Sequence, residues 1–94
     1  MPVDKELLKA KARGITISIG KMDEKQRAST PSAEFGEDYN RLRTLVLQLR
    51  PDLAPLLPPP AAFYSGGSGL AFTHQSFGEI DAYCEQLFQL LSTD

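Results

Sequence analysis

Five of the seven prolines in this 94-residue chain fall between Pro51 and Pro60. They divide it into two stretches that must fold on either side of a stiff break. Proline fixes φ at about −65° and has no N–H to donate, and it biases the residue before it away from the helical region. A helix running toward position 51 therefore ends at Arg50, and Pro58-Pro59-Pro60 is extended. Leu53, Leu56 and Leu57 lie within the same segment, so it reads as a turn followed by a strap pinned to the core. A polyproline ligand for an aromatic-lined groove on another protein is the competing use, and the leucines favour the strap.

Upstream of the break, Phe35, Tyr39, Leu42, Leu45, Val46 and Leu49 recur at helical spacing, with Arg41, Arg43, Gln48 and Arg50 largely on other faces. Thr30 is the expected cap of this helix, with Pro31 at its first position. Ser32 is the rival cap, and Gly36 weakens the first turn and moves the start toward Asp38. Downstream, Ser76 and Glu79 have capping-box spacing. They open a helix whose Phe77, Ile80, Cys84, Leu87, Phe88 and Leu91 form an apolar stripe. Between strap and helix, Phe63-Tyr64 and Leu70-Ala71-Phe72 flank Ser65-Gly66-Gly67-Ser68-Gly69, which predicts a hairpin over residues 61–74.

The N-terminal third has few large apolar residues after Ile19. Residues 3–13 have good helix propensity, with Gly14 as the expected stop. Ile15-Thr16-Ile17-Ser18-Ile19 alternates β-branched apolar and small polar residues, which predicts a short strand ended by Gly20. Lys21–Ser29 is charged and reads as exposed. The expected fold class is α+β: one small domain with two main amphipathic helices, a short N-terminal strand and a hairpin. A mostly α fold with an N-terminal arm is the alternative. Residues 1–29 are expected to form a basic, flexible arm containing the strand 15–19, and residues 30–94 a compact helical and hairpin body. No repeat of solenoid length is present.

Charge is separated along the chain. All ten lysines and arginines lie in residues 1–50 beside seven acids, a surplus of three positive charges. Residues 51–94 hold five acids and no basic residue, which returns the overall −2. Such polarity bears on partners and encounter rather than on fold. The single cysteine allows no internal disulfide. The N-terminus lacks a signal-like apolar run, and no stretch reaches the roughly 20 apolar residues of a membrane span. The expectation is a cytoplasmic protein without a membrane partner.

Residues capable of chemistry are sparse. The glycine-rich segment 65–69 lacks the lysine of a phosphate-binding loop, since Lys25 is the last lysine in the chain. His74 is the lone histidine, and Cys84 sits inside an apolar stripe where a thiol is usually a small buried hydrophobe. Glu79 and Asp81, two apart on a helix, point to different faces. No catalytic constellation, cofactor or metal set is visible. The reading that follows is a non-enzymatic protein–protein interaction module: a small adaptor, regulator or assembly subunit using a basic arm and an acidic body. Its partner is another protein or a second copy of itself. Ile15, Ile17, Ile19, Arg41, Arg43 and Tyr64 are the expected protein contacts. The alternative is a nucleic-acid-associated regulatory factor, with Lys9, Lys11, Arg13, Lys21, Lys25 and Arg27 on phosphates.

Overall fold

The computed structural model describes residues 4–65 and 71–92. Its first helix, α1 (Lys5–Gly20), is capped by Asp4, whose Oδ1 accepts the Leu7 N–H at 2.8 Å. The helix runs through Gly14 and continues to Gly20, so the strand expected at Ile15–Ile19 is not formed. Two periods compete in this segment. The isoleucines alternate with period two, but Leu8, Ala12, Thr16 and Ile19 recur at steps of four and three, and these are the buried residues of α1. Each β-branched residue costs a helix a few tenths of a kcal/mol. Extending one continuous buried stripe outweighs that cost. Thr16 also satisfies its hydroxyl within the helix by donating to the Arg13 carbonyl at 2.9 Å.

The segment expected as a flexible arm thus contributes to the core. Lys21–Ser29 is not all loop: α2 (Glu24–Ala28) is a single capped turn in which Asp23 and Gln26 exchange side-chain-to-backbone bonds. It buries nothing, as its composition implied. The next helix, α3 (Ala33–Leu49), is capped by Ser32 rather than Thr30. The chain before it is held extended, because the Pro31 carbonyl accepts the Thr73 N–H at 2.9 Å and Ser32 bridges Phe72. Gly36 does not delay the helix. It lies buried where a Cβ would collide with Thr73 Oγ1 and approach the Phe63 ring to 2.8 Å.

Pro51 ends α3 as its chemistry requires, with Arg50 at φ −132° and ψ 74°. A 3-10 turn, Pro51–Leu56, follows, and the chain is then extended to the hairpin. Leu53, Pro58 and Ala61 are buried. Helix α3 fastens this strap. Tyr39 Oη donates to the Pro59 carbonyl at 2.8 Å and Arg43 Nε to the Pro58 carbonyl at 2.7 Å. Asn40 holds Ala61 on both sides, donating to its carbonyl at 3.1 Å and accepting its N–H at 2.7 Å.

The hairpin is present as an antiparallel pair, β1 (Phe63–Ser65) and β2 (Ala71–Thr73), with Phe63 opposite Thr73 and Ser65 opposite Ala71. The glycine turn expected between them, at 66–69, lies outside the described residues. The last helix, α4 (Phe77–Leu91), has the expected Ser76–Glu79 capping box. Its contact with α1 is the most extensive in the molecule. Arg13 reaches Glu85, Lys9 lies over Phe88 and Arg27 of α2 meets Asp81, so position rises along α1 and α2 as it falls along α4. The pair is antiparallel. Leu8, Ala12 and Ile19 of α1, Tyr39, Leu42 and Val46 of α3, and Ile80, Cys84, Leu87 and Leu91 of α4 form one core. The fold is α+β: a helical core carrying a two-stranded antiparallel sheet.

Gly14 and Gly36, both within helices, give opposite expectations in urea unfolding. A Cβ at Gly14 meets nothing within 4 Å, so Gly14→Ala raises stability by about 0.5–1 kcal/mol. Gly36→Ala drives a methyl into Thr73 and Phe63 and lowers it by about 1–3 kcal/mol. Asn40→Ala strands both backbone groups of Ala61 and costs about 2 kcal/mol.

Candidate functional site

A helix turns about 100° per residue, which separates the three isoleucines expected on one face. Ile15 and Ile19 stay within about 40° of each other on the inner side, while Ile17 points away. Ile19 is fully buried in the core and Ile17 is 53% exposed. Ile15 is half-buried and lines a groove between α1 and α3 with a volume of about 390 Å³. Lys11, Gly14, Ile15 and Ser18 form the α1 wall, and Phe35, Asp38, Arg41, Leu42 and Leu45 form the α3 wall.

Each wall follows from helix spacing. Positions 11, 14, 15 and 18 fall on one side of α1, and 35, 38, 41, 42 and 45 on one side of α3. Leu42 is buried at the base of the groove, while Ile15, Phe35 and Leu45 are partly buried against the core. Lys11 and Arg41 carry positive charge at the rim. Arg41 donates to Asp38 Oδ1 at 2.9 Å within α3 and is otherwise open to solvent. Lys11 is exposed and makes no ion pair among the described residues.

Other expected contacts have internal partners. Arg43 is partly buried and held by the strap carbonyl. Tyr64 is 38% exposed, with its ring 4.8 Å from His74 and 5.8 Å from Phe72 and its hydroxyl 3.2 Å from Thr30 Oγ1. Tyr64 is not among the residues lining the groove, so it is not brought together with Ile15 and Arg41.

Three of the six cations expected on phosphates face the protein itself. Arg13 stacks on Phe88 with its guanidinium carbon 4.1 Å from the ring centre, and reaches Glu85 at 3.7 Å. Lys9 sits over the same ring at 5.3 Å and near Glu6 at 3.9 Å. Arg27 pairs with Asp81 at 3.1 Å. The charge separation written along the chain is partly closed by the fold, since cations of α1 and α2 meet carboxylates of α4. Lys11, Lys21 and Lys25 remain exposed.

The groups with reactive chemistry are apart. His74 is exposed at the hairpin, and Cys84 is buried in the core. Burial pushes the Cys84 thiol up to about 12, and the Asp81 carboxylate adds to the rise, so the thiol is protonated at neutral pH. Burial likewise raises the Tyr39 phenol. Among the described residues no cluster of three or more His, Cys, Asp or Glu is placed to hold a metal. No helix among them is long and apolar enough to cross a membrane.

Comparison of the chain with protein-family models, with curated proteins and with solved structures finds no match. The groove is accordingly described by its own geometry. Gly14, Ser18, Phe35, Asp38, Leu42 and Leu45 were not expected as a site. Ending the helix at Gly14 hid the α1 wall, because that wall exists only if the helical period continues past the glycine.

The Cys84 thiol resists alkylation in the folded protein and reacts at a free-thiol rate only after unfolding, as a thiol-counting assay checks. Its raised value also carries a sign. The folded state holds the proton more tightly than the unfolded chain, whose ordinary value is 9.0. This contribution to stability is complete below pH 9 and is lost as pH rises toward 12. Cys84→Ala therefore flattens the alkaline limb of a stability–pH curve.

Proposed function

We propose that this protein is a non-enzymatic interaction module that docks a partner protein in the groove between α1 and α3. The groove itself carries the reading. It offers the partly buried apolar side chains Ile15, Phe35 and Leu45 over the buried Leu42, beneath a rim bearing Lys11 and Arg41. Two of the contacts expected from sequence, Ile15 and Arg41, meet there from different helices. An apolar floor with a charged rim is the arrangement of a protein interface, where rim charges guide encounter and apolar contact supplies most of the affinity. A role as an adaptor, regulator or assembly subunit is consistent with it.

The nucleic-acid alternative retains Lys11, Lys21 and Lys25 as exposed cations, while Lys9, Arg13 and Arg27 are engaged with Phe88, Glu85 and Asp81. Phosphate binding is left with fewer free cations.

Removing residues 1–29 is a poor test of this function, because it deletes the core residues Leu8, Ala12 and Ile19. Gly14→Leu is the better variant. It fills the mouth of the groove from a position with open space around it, and it leaves every charge in place. In quantitative capture from native extract, partner recovery falls about tenfold or more with Gly14→Leu and is unchanged with Lys25→Gln, which lies outside the groove. Equal recovery by wild type and Gly14→Leu overturns the docking reading.

A further inference from the structure

We infer that the segment seated in the groove is an acidic amphipathic helix of another protein, an inference that rests on the docking reading above. Charge is the first ground. Between Leu7 and Met22 the chain has no acidic residue, and Lys11 and Lys21 are exposed along that length. Arg41 faces Lys11 across the groove. Its guanidinium has five N–H donors, of which Asp38 engages one nitrogen, and the side chain is 68% exposed. Asp38 is the one carboxylate lining the groove, so cations outnumber acids on these walls.

Shape is the second ground. From Lys11 to Ser18 the helix rises by seven residue steps, about 10 Å or two turns. That length matches apolar side chains at i, i+4 and i+7 of a helix laid alongside. Gly14 lies mid-way and presents no side chain, so the α1 backbone is open to close approach, toward the lower end of the roughly 8–10 Å seen between packed helices.

The molecule itself supplies the third ground. On another face α1 already holds such a helix. The α4 segment has no basic residue and carries Glu79, Asp81 and Glu85. It lays Ile80, Cys84, Leu87 and Leu91 into the core shared with α1, with Arg13–Glu85 at its flank. Helix α1 is thus a basic rod that takes an acidic amphipathic helix on one face, and the groove repeats that chemistry on a second. A second copy of this chain is a poorer occupant. Its α1 would set Lys11 and Lys21 against like charges, and the apolar stripe of its α4 is already buried.

The test uses two labelled helical peptides of about 15 residues, each with leucine at i, i+4 and i+7. One has glutamate on the flanks and the other lysine. Binding to the full-length protein is followed by fluorescence anisotropy at low and at physiological salt. The glutamate peptide is expected to bind about tenfold or more tightly than the lysine peptide, with the difference shrinking as salt rises. The double variant Lys11→Glu/Arg41→Glu, checked for helicity by circular dichroism, is expected to reverse the preference. Equal binding of the two peptides, absence of binding by both, or an unchanged preference in the double variant overturns the inference. So does a concentration-dependent dimer in sedimentation that Gly14→Leu abolishes, because the groove then receives a second copy. In any of these cases, loss of partner capture with Gly14→Leu leaves the docking reading standing. Capture unaffected by Gly14→Leu removes both.

Discussion

Antiparallel packing of α1 on α4 is the contact that the remaining structure depends on. Leu8, Ala12, Thr16 and Ile19 make an unbroken buried stripe on α1, and Ile80, Cys84, Leu87 and Leu91 make one on α4. At 16 and 15 residues both helices are only marginal alone in water, and each is stabilised by burying the other's apolar side. The ion pairs at the flank are partly exposed and individually worth about 0–1 kcal/mol or less. Their larger effect is on register. Arg13 against Glu85 and Arg27 against Asp81 match a basic helix to an acidic one in a single direction.

The third wall of the core, α3, is set by side chains that grip the strap. Tyr39, Asn40 and Arg43 all bond carbonyls between Pro58 and Ala61, and Gln86 of α4 adds a bond to the Leu56 carbonyl at 2.8 Å. Proline-rich backbone offers carbonyls but few N–H groups, so donors on neighbouring helices are the natural way to fix it. The closeness of Gly36 to Thr73 and Phe63 brings the hairpin against α3. With α3 held by strap and hairpin on one side, its opposite side meets α1 only at depth, and the groove is the space left between them.

This layout changes the meaning of the charge pattern. The basic half and the acidic half are not displayed at opposite ends of the molecule. They meet across the α1–α4 contact, and the cations left outward include Lys11 and Arg41 at the groove, Lys21 at the end of α1 and Lys25 on α2. Only Ile15 and Arg41 of the expected protein contacts therefore share a site. Ile19 is a core residue and Arg43 a structural donor. Tyr64 belongs to an aromatic cluster on the hairpin.

Local chemistry alone determined the points where a single residue type leaves the backbone little choice. Pro51 ends α3, the Ser76–Glu79 box opens α4, the apolar stripes of α3 and α4 face inward, and the apolar runs at Phe63-Tyr64 and Ala71-Phe72 form a hairpin. Tertiary structure decided the rest, above all Ile15–Ile19. Period two and period 3.6 are both present in that segment, and β-branched residues locally favour the strand. Helix wins because α4 offers a complementary apolar stripe that the helical period of α1 can bury. The groove was hidden for the same reason: its walls come from residues far apart in the chain, and its α1 wall takes shape only when packing carries the helix through Gly14.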